Sequence, residues 1–147
     1  MASGGLTRSA LVHAPPAARS GRPLPLVLAL HGVGGNGKFM EEYTGLSRLS
    51  NRKGFVVAYP SAYGSPARWN IAGPPGAEPD DVAFGRDLLD ALGARLCIDT
   101  GRVFVTGVSN GGGMAARLGC ELSDRLRAIA PVAGSAGCPN SARACAG

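Results

Sequence analysis

The sequence predicts an α/β protein with a largely parallel sheet and flanking helices, and three observations carry that prediction. Short uncharged runs rich in leucine, valine and isoleucine recur at residues 24–30, 55–59, 103–105 and 128–132. Between them, apolar residues return at helical spacing over 39–51, 84–92 and 115–122. The runs do not alternate apolar with polar, which marks strands covered on both faces and joined by right-handed helical crossovers.

Taken in order, residues 1–5 are small and glycine-rich and read as a frayed end. Residues 6–14 alternate loosely and stop at Pro15-Pro16, which suits an edge strand closed by a proline turn. A linking loop at 17–23 leads to the run 24–30, then to the loop His31-Gly-Val-Gly-Gly-Asn-Gly37. Phe39, Met40, Tyr43, Leu46 and Leu49 form one helical stripe, ended by Lys53-Gly54. The strand at 55–59 is cut by Pro60. Residues 61–79 are irregular and proline-rich, carry the only tryptophan, Trp69, and form a candidate binding loop. Asp80-Asp81 open a helix at its positive end, with Phe84, Leu88, Leu89 and Leu92 as its apolar face; a place in the substrate loop is their alternative role. Residues 97–101 lead into the strand before Gly107, a helix follows, 127–133 form a last strand, and 134–147 are small, polar and without pattern.

The 147 residues fit one domain with a real core, and the composition is globular. The net charge of +5 comes mostly from arginines scattered along the chain without interleaved aromatics, a solvated surface that predicts no nucleic-acid partner. The longest apolar run, 24–30, is interrupted by Pro25 and far too short to span a membrane. The first residues show neither a basic region nor an apolar core of an export signal, which leaves a cytoplasmic location open for the chain as written. Cys97, Cys120, Cys138 and Cys145 show no C-x-x-C spacing and lie far from both histidines, which predicts no metal site; two disulfides and buried free thiols both fit.

Two glycine patterns compete for function. Gly32 to Gly37 satisfies G-x-G-x-x-G after a strand, but the next strand ends in Tyr59-Pro-Ser61 with no acid for a ribose. The same loop satisfies G-x-x-x-x-G-K, but Phe39 stands where a hydroxyl should hold magnesium. A nucleotide-binding domain using Gly32–Gly37 is therefore the weaker reading. The stronger pattern is Gly107-Val-Ser-Asn-Gly111, a G-x-S-x-G turn between a β-branched run and a helical segment. Such a turn exposes its serine as a nucleophile, Ser109. The N–H of the next residue, Asn110, is one oxyanion donor, and Val33 supplies the second, with Gly34 as alternative. His31 and Trp69 are placed on the substrate-binding side; His31 either orders the glycine loop or, less simply, acts as base. No cofactor is required.

Residues 25–32, 80–84, 97–114 and 128–134 together resemble the polyhydroxybutyrate depolymerase and feruloyl esterase-like α/β-hydrolases. The resemblance implies the α/β-hydrolase fold, with an antiparallel lead strand and the spatial order lead strand, 55–59, 24–30, the strand before Ser109, then 127–133. It implies serine-dependent hydrolysis of polyester, or of feruloyl or acetyl esters on plant polysaccharide, by an enzyme secreted to the extracellular space or periplasm and needing no metal.

In that family the acid and the histidine follow the serine. After Ser109 the chain has only the acids Glu121 and Asp124, at the far end of the elbow helix, and no histidine. The sequence therefore reads as a C-terminally truncated domain, frayed at 1–5 and 135–147 and catalytically inactive or weak. Its last strand presents an open edge, which predicts self-association and marginal stability. A non-catalytic ligand-binding remnant of the same fold is the alternative.

Overall fold

The computed structural model describes residues 1–74 and 76–135. A two-stranded hairpin, β1 (Ala2–Ser3) and β2 (Leu6–Thr7), precedes a five-stranded sheet. That sheet contains β3 (Ser9–His13), β4 (Leu24–Leu30), β5 (Val56–Ser61), β6 (Ile98–Val108) and β7 (Ala128–Val132), in spatial order β3-β5-β4-β6-β7. Only β3 runs antiparallel, against β5. Order and direction match those implied by the resemblance.

The unalternating pattern of β4 has its explanation in two cores. Leu26, Leu28 and Leu30 face α3 (Asp81–Arg95) and α4 (Asn110–Glu121), meeting Phe84, Leu88 and Leu92 of the first and Met114, Ala115 and Leu118 of the second. Val27 and Ala29 face the other way, into a smaller cluster with Met40, Val57, Tyr59 and Leu46 below α1 (Gly37–Thr44) and α2 (Leu46–Lys53). Each fully buried leucine contributes about 1.5–3 kcal/mol of transfer free energy, so β4 fixes the centre from which its C-terminal loop is presented.

Several local expectations are corrected. Residues 1–5 do not fray: Gly4 and Gly5, at φ 54° and 71°, turn the β1–β2 hairpin, and Ser3 Oγ donates to Asp87 at 2.6 Å. The stripe from Phe39 to Leu49 is two helices, because Gly45 at φ 60° caps α1 through its N–H to the Glu41 carbonyl before α2 begins. Phe39 and Tyr43 consequently stack on each other at the surface. Pro60 does not end its strand: the pairing of β5 with β4 stops at Ala58, so β5 continues to Ser61 against β3 alone.

Beyond α4, β7 pairs only with β6 among the described residues and is exposed throughout, with Val132 at 54%. No helix among the described residues is long and apolar enough to cross a membrane. Cys97 is an exposed free thiol, which excludes two disulfides, and Cys120 is disulfide-bonded. Cys138, Cys145 and the expected frayed tail from 136 onward lie outside the described residues.

Candidate active site

Ser109 sits between the end of β6 and the start of α4 at φ 55°, ψ −121°, in a region where a residue with a side chain is strained. The strain is held by backbone: Ser109 N–H donates to the Val132 carbonyl at 2.9 Å, and its own carbonyl accepts from Gly113 at 3.0 Å. Both motif glycines are required by close approach. A Cβ on Gly111 would stand 2.5 Å from the His31 carbonyl oxygen and closer still to that of Leu30; one on Gly107 would stand 2.5 Å from the Gly111 carbonyl carbon. Gly134 is a third such position, missed in the sequence, where a Cβ would come within 2.7 Å of the Gly113 nitrogen.

The loop after β4 adjoins this turn, since a Cβ on Gly32 would lie 3.6 Å from Ser109 Cβ. Within the loop, Gly34 N–H already donates to the Ala67 carbonyl at 2.8 Å, and Gly35 N–H to that of Gly32 at 3.1 Å. The Gly34 N–H is therefore engaged and does not suit the alternative oxyanion role, and Val33 is 55% exposed. Asn110 opens α4, so its N–H belongs to the first-turn donors without an intrahelical partner, at the positive end of the helix dipole. The same engagements count against a phosphate cradle at Gly32–Gly37. Asn36 caps α1 by accepting from Phe39 N–H, occupying a donor that a phosphate would need.

His31 is fully buried and cannot touch substrate, which corrects its placement on the binding side. Nε2 accepts from Ala62 N–H at 3.0 Å, which puts the ring proton on Nδ1, donating to the Gly32 carbonyl at 2.6 Å. With both nitrogens engaged it orders the loop and is no base. Burial holds its pKa below the ordinary 6.5, outweighing the Gly32 carbonyl and the Asp81 charge, which act in the opposite sense. The unfolded chain thus takes up this proton at a higher pH than the folded one. Stability from this source is complete above 6.5 and falls as pH drops toward the lowered folded pKa. Urea midpoints measured at about pH 5 and about pH 7.5 should fall on the acid side, and less so in His31→Gln. An equal slope in the two proteins would remove His31 as the source.

Trp69 is 2% exposed: its indole N–H donates to the His31 carbonyl at 2.9 Å, and the residue lines a cavity of about 640 Å³ together with Tyr63, Arg68 and Ile71. It is a strut under the glycine loop before it is a ligand contact. Asp80 caps α3 by accepting from Ala83 N–H at 2.8 Å. Asp81 lies in the first turn of α3, as its position in the sequence predicts. It is buried against Arg8 and accepts Asn70 N–H at 2.7 Å. Glu121, the last residue of α4, pairs at 2.6 Å with the buried Arg117. No local pattern announces the Arg8–Asp81 contact, because the two residues stand 73 apart in the chain.

His13 lies on the edge strand β3, with Nε2 2.8 Å from the Asn51 side-chain oxygen. Among the described residues no group of histidine, cysteine or acids could hold a metal ion.

The chain is similar to known proteins. The family described as "Esterase PHB depolymerase" matches residues 8–142. The protein named "Putative esterase NocK" from Nocardia uniformis subsp. tsuyamanensis is 38% identical over 137 residues, covering 88% of this chain and 39% of the relative. Feruloyl esterase B from Piromyces equi is 30% identical over 128 residues, covering 86% of this chain and 24% of the relative. The solved acetyl xylan esterase from Aspergillus awamori superposes with a TM-score of 0.80 at 24% identity, over 92% of this chain and 51% of that one, and shares the α/β-hydrolase fold. The chain thus spans between about a quarter and a half of these proteins.

Proposed function

The chain belongs to the esterase PHB depolymerase family, and from that membership we propose that it carries the nucleophile half of a carboxylic-ester hydrolase acting through an acyl-enzyme. The observation that carries the reading is Ser109 at φ 55° with the glycine loop packed against it. In the proposed step Ser109 Oγ adds to the ester carbonyl and loses its proton to a base. The carbonyl oxygen becomes an anion facing the N–H groups of Val33 and Asn110; the alcohol then leaves, and water cleaves the acyl-serine. Loss of one oxyanion donor costs on the order of 10²–10³ in kcat in a related chemistry, so the two donors supply several kcal/mol.

The substrates proposed are polyesters or the feruloyl and acetyl esters of plant polysaccharide, the second supported by relatives named feruloyl esterase B and acetylxylan esterase/xylanase. A location outside the cytoplasm is supported by the disulfide at Cys120. With His31 engaged by Gly32 and Ala62 and His13 by Asn51, this chain by itself is proposed to turn esters over weakly or not at all. Loss of the base in a serine hydrolase costs on the order of 10⁶ in kcat.

The test supplies the base from solution. With imidazole present, a small fluorophosphonate should form an O–P bond at Ser109, releasing fluoride and passing the serine proton to imidazole. Intact mass should show one adduct, absent in Ser109→Ala. No adduct would favour the non-catalytic reading, in which the cavity beside Trp69 holds a ligand. Without imidazole, hydrolysis of a chromogenic butyryl ester should match the Ser109→Ala background, and turnover that depends on Ser109 would refute the proposed lack of a base. The same samples should sediment faster as concentration rises, if the exposed β7 edge pairs between copies.

A further inference from the structure

The two proposed oxyanion donors stand on different elements, Asn110 on α4 and Val33 on the loop after β4. An oxyanion hole works only when both N–H groups lie about 2.7–3.1 Å from one point, so the spacing between loop and helix has to be fixed. The described structure fixes it through a third element, the irregular segment around Trp69.

That segment grips the glycine loop at two points: the Ala67 carbonyl accepts Gly34 N–H at 2.8 Å, and the Trp69 indole donates to the His31 carbonyl at 2.9 Å. The segment is itself held by side chains. The Asn110 amide accepts Trp69 N–H at 2.7 Å and donates back to the Trp69 carbonyl at 3.1 Å. Asp81 accepts Asn70 N–H at 2.7 Å, and Arg117 donates to the Asn70 carbonyl at 2.7 Å. All four main-chain polar groups of Trp69 and Asn70 are thereby satisfied by three side chains, as a strand's would be by neighbouring strands. Asn110, Asp81 and Arg117 are each at most 9% exposed, so water cannot readily replace them.

We propose that the Asn110 side chain, backed by Asp81 and Arg117, is a positioning device for the oxyanion hole: it clamps the Trp69-Asn70 main chain and so sets the distance between its own N–H and the Val33 loop. The proposal rests on the serine-esterase reading above and adds to it the residues that hold the hole in shape. Asn110→Ala separates the two roles of that residue, because it removes the clamp and keeps the backbone N–H.

The experiment follows phosphonylation of Ser109 by a small fluorophosphonate at fixed imidazole, against fluorophosphonate concentration, well below the unfolding midpoint of each protein. The clamp predicts a fall in the maximal rate in Asn110→Ala, on the order of 10²-fold for a displacement near 1 Å, with the half-saturating concentration unchanged. Trp69, the only tryptophan, reports independently: acrylamide should quench its fluorescence more strongly once the segment loosens. A purely structural role would lower the midpoint and leave the maximal rate of the folded protein alone. Should Asn110→Ala fail to fold, Arg117→Lys decides the matter, since it perturbs only the Asn70 carbonyl and the Glu121 pair; a slower maximal rate supports the clamp and a wild-type rate overturns it. A wild-type maximal rate in folded Asn110→Ala likewise overturns it. If wild-type Ser109 is never phosphonylated, the esterase reading fails, and the clamp as an oxyanion device fails with it.

Discussion

Gly111→Ala is expected to destabilise the protein by at least about 3 kcal/mol, seen as a fall in unfolding midpoint of roughly 10 °C or as insoluble expression. The added methyl would meet backbone on every near side: the Leu30 carbonyl carbon at 2.7 Å, the His31 carbonyl oxygen at 2.5 Å, and the Leu30 carbonyl oxygen closer still. A crowded side chain can rotate away, whereas these atoms belong to the buried end of β4 and to the loop it leads into. Relief therefore requires α4 to lift off the sheet, which also moves Ser109 and the N–H of Asn110. Gly93→Ala is the internal comparison. It lies in α3 with no atom within 4 Å of its would-be Cβ, and there alanine should stabilise by up to about 1 kcal/mol through helix propensity. A Gly111→Ala protein with a wild-type midpoint would show that the elbow is looser than its geometry.

The contrast between these glycines shows what the sequence makes legible. Gly107 and Gly111 are found by spacing, because the same local geometry recurs wherever a strand turns through a serine into a helix. Strands β4 and β5 are found because burial on both faces forces uncharged sequence, and their order comes with the family resemblance. Gly45 and Gly134 look like Gly93 in one dimension. The first breaks a helix by adopting a left-handed backbone, and the second matters only because the chain after β7 returns to Ser109. His31 beside a glycine loop reads equally well as ligand contact or strut, and only the approach of Ala62 and Trp69 from elsewhere in the chain decides for the strut. The engagement of the Gly34 N–H likewise depends on a distant carbonyl, that of Ala67. Local backbone demands are thus visible in sequence, while the partners of single polar groups are not.

Removing one member of the Arg8–Asp81 pair is the other change expected to cost most. Side-chain exposure is 2% for Arg8 and 0% for Asp81, and Asp81→Ala would strand the guanidinium beneath the surface with the Phe84 ring, 4.0 Å from its centre, as a poor substitute. It would also leave the Asn70 N–H without its acceptor. Breaking a buried pair in this way costs about 3–5 kcal/mol, most of it the desolvation of the charge left behind and not the attraction lost. If the stranded charge dominates, Arg8→Met combined with Asp81→Asn, which removes both charges and keeps an acceptor for Asn70, should recover most of the stability lost in Asp81→Ala. If attraction dominates, the double variant should be as unstable as the single. Urea unfolding followed through Trp69 fluorescence distinguishes the two. The exposed pair of Arg102 with Asp99 is the surface reference, where Asp99→Ala should leave the midpoint unchanged although the contact is 2.6 Å. Burial, not contact distance, then determines which ion pair the fold depends on, and the buried one holds the segment that carries Trp69.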